Sequence, residues 1–402
     1  MLAVSGGPDS LALMLAAAHH RAAQSDAPDV CFLVVTVDHG LRPDAAVEAQ
    51  AVARLAGSLG LAHETRHWYP VPPVTNLQAQ AREARYALLA AAARDAGACA
   101  VMTAHHLDDQ VETHLIAAAR KAGDRGLAGM REIRDLEPGI ALLRPLLAVP
   151  GARLKAGVAA AGLSAADDPS NRDRRFLRVR LREALAREDV DRPAFFAAIA
   201  THTAARDAFD RRLAASRHTA DGPLFDVDAE GVIRMRRSAF ARLPPALRLA
   251  WLARAVVAAG GGLHAPARPA LERLDARLER EREAAATLGG AAIGADAGAI
   301  RFTREWGRRG IAAMAVDTGT RQTVFDRRFD VDLASSPARG LCLAPFGITG
   351  RGNPHERTLP VLRAPDGALL AVPPGLRGKV DAVLPVLTIR QRIGWRLLRD
   401  LF

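Results

Sequence analysis

Three short clusters carry residue types that do chemistry: Ser5-Gly6-Gly7-Pro8-Asp9-Ser10, Asp38-His39-Gly40-Leu41-Arg42, and His105-His106-Leu107-Asp108-Asp109-Gln110-x-Glu112-Thr113. In the first, two glycines let the backbone close on an anion, the freed N–H groups point inward, and a helix starting near residue 9 adds positive potential. Ser5 and Ser10 add hydroxyl donors. The loop is not a Walker A motif, which would continue Gly-Lys-Ser/Thr, and it is not GxGxxG. Asp9 suits two roles: a hard oxygen ligand for Mg2+ between phosphates, or an acid at a helix start. Asp109 and Glu112 stand three apart on a helix start and share a face, so they can pair with an amine or take its proton. Two aspartates in a first turn also complement the helix dipole with no ligand at all. A zinc site built on His105 and Asp109 lacks further ligands.

These clusters need elements to bring them together. Leu2–Val4, Cys31–Val37 and Ala98–Ala104 are apolar runs that read as buried strands, and each ends in one of the three clusters. Between them, helical patterns near 9–23, 44–59 and 76–96 close on Gly60 and Gly97. Alternating strand and helix predicts a parallel sheet covered by helices, whose ligands bind at the carboxyl ends of the strands. Only four residues precede Ser5, so the first strand is either short or begins upstream of Met1. Beyond about 150 the pattern turns helical from 193 to 286, with breaks at Pro244–Pro245 and Gly260–Gly262; small β-like pieces follow from about 288. After 325 the chain is turn-rich, and Asp366–Gly367 marks a hairpin.

Composition bounds the partners. Fifty-five Lys+Arg against 44 Asp+Glu leave a net charge of +11, a balance that favours polyanions and makes nucleic acid the first partner to test. Residues 339–402 alone hold ten basic side chains against four acidic ones, an excess expected to contact RNA phosphates. Arg172–Arg182 holds six arginines against Asp173. Aromatic residues are only 4%, which argues against extensive base stacking. The three cysteines are dispersed, without a CxxC pair, so a disulfide framework and a zinc ribbon are both disfavoured. The N-terminal segment lacks a cationic n-region, and no apolar run reaches the roughly 18 residues of a membrane helix. A cytoplasmic protein with no membrane association is the expectation.

The hexapeptide Ser5–Ser10 resembles the PP-loop (SGGxDS) of the N-type ATP pyrophosphatases. Asp38-His39-Gly40-Leu41-Arg42, Arg82-x-x-Arg85-Tyr86, the HHLDDQVET cluster, Gly126-Leu127-x-Gly129-Met130, Arg144-Pro145-Leu146-Leu147 and Asp168-Pro169-Ser170-Asn171 follow in order. Over about residues 2–182 the set is similar to the tRNA(Ile)-lysidine synthetase family. One departure is Val179, where that family's basic helix usually carries asparagine. The resemblance implies an α/β fold: a Rossmann-like PP-loop domain over 1–185, a mainly helical tRNA-binding domain over 190–320 and a small α+β tRNA-binding domain over 325–402.

The implied reaction spends ATP, with Mg2+, to adenylate the C2 oxygen of the wobble cytidine (position 34) of an isoleucine tRNA with a CAU anticodon; free lysine then displaces AMP. The implied sites are ATP on Ser5, Gly6, Gly7, Pro8, Asp9, Ser10, Asp38 and His39; lysine on Asp109 and Glu112; and Mg2+ on Asp9 and Asp108. Catalysis is assigned to Asp9, Arg85, Asp109 and Glu112, with Arg85 meeting phosphate or the lysine carboxylate, and RNA contact to Arg178 and Arg182. The rival readings are another PP-loop tRNA-modifying enzyme, such as a thiolase, and a nucleotide-binding regulator without catalysis. The first would need reactive or paired cysteines, and the second would not need HHLDDQVET. The oligomeric state is not encoded in any of these features.

Overall fold

Met1 to Val4 is buried throughout, because the strand it forms lies in the middle of a sheet. The computed structural model describes residues 1–23, 30–40, 45–69, 77–166, 177–187, 192–333 and 340–399, the side chains of 77–79, 186, 187 and 192 aside. They form two compact units, Met1–Ala208 and Phe209–Phe402. The first contains β1 (Leu2–Ala3), α1 (Pro8–Ala23), β2 (Leu33–Asp38), α2 (Ala45–Ser58), β3 (Ala62–His67), α3 (Leu77–Asp95), β4 (Ala100–Met102), α4 (Leu107–Ala119) and α5 (Asp124–Leu127). It continues with β5 (Ile133–Glu137), β6 (Ile140–Leu143), α6 (Gly151–Ala160), α7 (Leu177–Arg187) and α8 (Arg192–Ala215), which contains the boundary between the units.

The six strands run in the order β3-β2-β1-β4-β6-β5. All neighbours are parallel except β5, which returns antiparallel on β6. Successive side chains of a strand point to opposite faces. Accordingly Leu2 and Val4 join Leu11, Met14, Val34, Val52 and Val158 in one core, while Ala3 joins Val35, Leu89, Ala93, Val101 and Leu142 in the other. Helices on both faces of a mostly parallel sheet make the α/β fold expected from the sequence. Strand β3 (AHETRH) gave no sequence signal, because an edge strand need not be apolar; its His63 Nε2 lies 3.0 Å from Thr36 Oγ1 of β2. The segment Leu142–Val149 begins inside β6.

The second unit has two cores. One gathers Leu224, Ile233, Trp251, Val256, Leu274, Ile293, Phe302, Ile393 and Leu397 between helices Pro245–Gly260 and Arg268–Arg280 and a five-stranded antiparallel sheet. That sheet runs Ala284–Leu288, Ala291–Ala295, Ala299–Arg304, Ile233–Arg236, Phe225–Val227. The region expected to be mainly helical thus carries a sheet besides its helices, which the sequence showed only as short β-like pieces. The other core, around Phe325, Phe329, Leu343, Phe346, Val361 and Leu376, holds a four-stranded and a three-stranded sheet. Asp366–Gly367 lies in the turn between the paired strands Pro360–Arg363 and Leu369–Ala371.

Many of the basic residues after 339 are engaged by the fold itself. Arg351 pairs with Asp381 at 2.6 Å and Lys379 with Glu356 at 3.4 Å. Arg357 donates to Gly352 O, Arg363 to Gly367 O and Arg396 to Val257 O. Several of these basic side chains thus have partners within the fold, and their number alone does not mark a surface for RNA. Arg377 and Arg390 stand exposed.

Candidate active site

Residues from four parallel strands meet at the carboxyl end of the first unit's sheet. After β1 the chain turns through Ser5–Gly7 into α1. Gly6 has φ +87°, and its carbonyl accepts the Ala166 N–H at 2.9 Å. Ser10 Oγ donates to Gly7 O at 2.9 Å and accepts the Ser5 N–H at 3.2 Å, so Ser10 ties the loop shut from inside. Among the described residues no acceptor takes the N–H groups of Gly6 and Gly7. A hairpin of free amides at a helix N-terminus is an anion cradle.

Asp9, one residue before Ser10, has its Oδ1 buried with no hydrogen-bond partner. Its Oδ2 is 3.5 Å from His106 Nε2. His106 is the N-cap of α4: its Nδ1 accepts the Asp108 N–H at 3.2 Å, and its own N–H donates to Asp109 Oδ2 at 3.1 Å. Burial works to lower the His106 pKa, but the hydrogen bond with Asp9 and the charges of Asp109, Asp9 and Asp108 outweigh it and raise it. The ring thus stands between Asp9 and Asp108, whose Oδ2 is 3.6 Å from His106 Nδ1 and accepts the Gly151 N–H at the start of α6 at 2.9 Å. An orphaned, buried carboxylate oxygen beside an anion cradle fits a hard cation such as Mg2+ at Asp9. Asp108 faces the same ring from its other side.

Asp109 and Glu112 lie together, as their spacing required, and both are buried; Glu112 has no exposed surface. Their partner is Arg182 of α7. Its Nη2 donates to Asp109 Oδ1 at 3.0 Å and to Glu112 Oε2 at 3.3 Å, and its Nε donates to Glu112 Oε1. Arg182, expected to grip RNA, is turned inward because two buried carboxylates one helical turn apart demand a cation. Burial raises the Glu112 pKa despite Arg182. Arg178, one turn earlier on α7, is exposed. Arg172–Arg175 and the motif at 168–171 lie outside the described residues, as do Leu41 and Arg42.

Asp38 closes β2. Its Oδ1 accepts the Gly40 N–H at 2.8 Å and its Oδ2 is 3.5 Å from His67 Nδ1, so much of its capacity goes to shaping the loop. His39 packs edge-on against Trp68, with ring centroids 5.8 Å apart, and its Nδ1 is buried without a partner. Burial, then the nearby Arg85, keep His39 neutral by lowering its pKa. Arg85 on α3 is brought towards His39 and His105 with no carboxylate partner among the described residues, and burial lowers its pKa.

Two features here were not legible as site residues. His106 gave no signal beyond its place in the motif. Gln110 brackets the loop after α5: its Nε2 donates to Met130 O at 3.0 Å and its Oε1 accepts the Met130 N–H at 2.6 Å. A Cβ on Gly129 (φ +67°) would lie 2.6 Å from Gln110 Oε1. The Gly126–Met130 motif is therefore a structural clamp on α4.

A Rossmann-like sheet with a free-amide loop after its first strand and an unpartnered aspartate beside it defines a class of nucleotide-using protein. In agreement, residues 1–189 match the PP-loop domain family, ATP_bind_3. The tRNA(Ile)-lysidine synthase of Methylobacterium nodulans is 44% identical over 321 residues, covering 77% of this chain and 91% of that protein. The enzyme of the same name from Rhodopseudomonas palustris is 58% identical over 187 residues, 46% of this chain and 53% of its own length. That from Ruegeria pomeroyi is 37% identical over 363 residues, 87% of this chain and 82% of that one. The chain belongs to the tRNA(Ile)-lysidine synthase family. No helix among the described residues is long and apolar enough to cross a membrane.

Proposed function

We propose that the crevice joins free lysine to C2 of the wobble cytidine (position 34) of an isoleucine tRNA with a CAU anticodon, giving AMP and pyrophosphate, in the cytoplasm. The free amides of Gly6 and Gly7, the hydroxyls of Ser5 and Ser10 and the dipole of α1 hold the triphosphate. Asp38 and His39, on the neighbouring strand end, flank the adenosine half. The cytidine C2 oxygen attacks the α-phosphorus, pyrophosphate leaves, and an adenylated cytidine results. Preorganised amides aimed at the departing charge carry this step. Mg2+, when bound at Asp9 with Asp108 near it, neutralises charge on the phosphates. Arg85 supplies a bidentate fork for phosphate or for the lysine carboxylate.

In the second half the lysine side-chain amine attacks C2 and expels AMP. The ammonium takes the place that the Arg182 guanidinium occupies between Asp109 and Glu112, one cation exchanged for another. Glu112, fully buried and with a raised pKa, accepts the proton that the ammonium must lose before it attacks. This buried acid pair holding a cation next to a phosphate loop is the observation that carries the reading, because neither a thiolase nor a nucleotide-binding regulator needs it. RNA is held from Arg178 and from exposed arginines of the second unit such as Arg377 and Arg390.

The test is formation of AMP from radiolabelled ATP, dependent on both lysine and a tRNA(Ile) transcript with a CAU anticodon, with the product nucleoside read by mass spectrometry. Lysidine at position 34 supports the reading; AMP release without need of lysine, or no AMP at all, overturns it.

A further inference from the structure

Across the sheet from the phosphate loop, four guanidinium groups of the first unit converge on Tyr86 and His105. Arg82 lies over one aspect of the Tyr86 ring at 5.5 Å and Arg134 of β5 over the ring at 5.4 Å. Arg144, just beyond β6, is 4% exposed and faces the same phenol; its Nη1 donates to Arg131 O at 2.6 Å, and its Nε is buried with no partner. Arg85 completes the group. None of the four has a carboxylate partner among the described residues, although carboxylates are plentiful elsewhere in the chain.

The neighbours record this concentration of charge. Burial works to raise the Tyr86 phenol, but Arg82, Arg144, Arg85 and Arg134 outweigh it and hold it below its ordinary value. His105, hydrogen-bonded through Nδ1 to Thr103 Oγ1 at 2.9 Å, is driven by burial and by Arg144, Arg82, Arg85 and Arg178 to a pKa of about 2. It is therefore neutral and does not add to the repulsion. Arg144 is buried, Arg85 and Arg134 are half-buried and Arg82 is exposed at the rim. Like charges gathered around a buried cation with no counter-charge are costly, and an anionic ligand at this rim would supply the missing charge.

We infer that Arg82, Arg134 and Arg144, with Arg178, form a second oxyanion site that holds the phosphodiester backbone flanking the reactive cytidine. This inference rests on the tRNA reading above and adds to it where the RNA is gripped. Geometry separates the site from the triphosphate: β4 and β6 lie on the far side of β1 from β2, whose end flanks the adenosine half. Charge separates it from a lone carboxylate, since four or more guanidinium groups exceed what one carboxylate neutralises, whereas consecutive phosphodiesters bring one negative charge each. Arginine in every position suits forked contacts to phosphate oxygens.

The experiment measures tRNA binding by filter retention over a salt series, without ATP or lysine, for the full chain, for Arg82→Gln/Arg134→Gln and for Arg144→Lys. The double variant should lose roughly 0.7 per contact in the slope of log K against log[salt], about 1.4 in all. Arg144→Lys keeps the charge and loses the fork, so its slope should match wild type while its affinity falls several-fold. KM for ATP and for lysine should stay within about twofold in both variants. An unchanged slope in the double variant overturns the inference; if KM for lysine then rises, the cluster reads the lysine carboxylate, and if KM for ATP rises, it belongs to the triphosphate. Binding is read without turnover, so this result stands apart from the lysidine assay: a wild type that makes no lysidine sinks the function, and an unchanged slope sinks only this site.

Discussion

In the second unit Arg248, Arg254, Arg328 and Arg396 are each less than a tenth exposed, and each has partners of the fold's own making. Arg248 grips Asp275 through Nε and Nη2 at 3.0 and 2.9 Å; Arg254 donates to Leu398 O at 2.9 Å; Arg328 bridges Asp326 and Thr358 O at 2.7 and 2.6 Å; Arg396 reaches Val257 O at 2.9 Å. Around Tyr86 in the first unit, Arg82, Arg85, Arg134 and Arg144 gather with no carboxylate partner among the described residues. The same residue type thus serves as internal scaffold in one unit and, among the described residues, stands without a counter-charge in the other. Net charge does not distinguish the two; the partners do. Removing the chain after 339 would be a poor test of RNA contact, because Ile393 and Leu397 belong to the Trp251 core.

Substitutions in the two regions should therefore fail differently, in turnover in the first unit and in stability in the second. The largest effect is expected from Asp9→Asn, which should cut pyrophosphate release on the order of 10²–10³-fold while urea denaturation of the protein stays unchanged. A variant with normal turnover would remove Asp9 from the reaction. Next, Arg248→Ala strands the Asp275 carboxylate in the second unit's core and should cost about 3–5 kcal/mol of stability, measured by denaturant unfolding of that unit. ATP binding by the first unit, followed by calorimetry below the transition, should survive. Loss of ATP binding would mean that the scaffold arginines are not confined to their own unit.

Much of the first unit was legible in the sequence and much of the site was not. Helices α1 to α3 and strands β2 and β4 lie within a few residues of where periodicity put them, because a buried parallel sheet writes itself as apolar runs. Strand β3 alternates polar side chains at the sheet edge and left no such record. Asp109 and Glu112 were readable as a shared helix face, since three-residue spacing is local geometry. The inward turn of Arg182 was not, because its partners lie 70 and 73 residues away and the segment reads equally as a solvated or RNA-facing helix. The arginine cluster stayed hidden for the same reason: Arg82, Arg134 and Arg144 come from a helix, an antiparallel strand and a loop, and only the fold makes them neighbours.

Smaller effects sharpen the contrast. Gly129→Ala must force a Cβ against the Gln110 amide at a positive φ, at a cost of about 1–3 kcal/mol; the accompanying Gln110→Ala should relieve the clash, and denaturation of the single and double variants measures the coupling. His105 gives the smallest and most specific signal. Its folded pKa of about 2 lies below the ordinary 6.5, so the folded state binds fewer protons and stability is lost as pH falls below 6.5. His105→Asn should therefore show a shallower fall of Tm between pH 7 and 4 than wild type. Identical slopes would mean that His105 protonates freely and that the cation cluster around it is screened.

The proposed division of labour, in which Asp109 and Glu112 receive the amine while the phosphate loop acts one step earlier, is tested by separating the two half-reactions. Glu112→Gln should accumulate adenylated tRNA from ATP at the wild-type rate in a rapid-quench experiment without lysine. On addition of lysine it should then release AMP at least a hundredfold more slowly, on the scale of a lost general base. Slowed adenylation followed by normal discharge would contradict the claim, returning Asp109 and Glu112 to the helix-dipole role that their sequence position alone also allows.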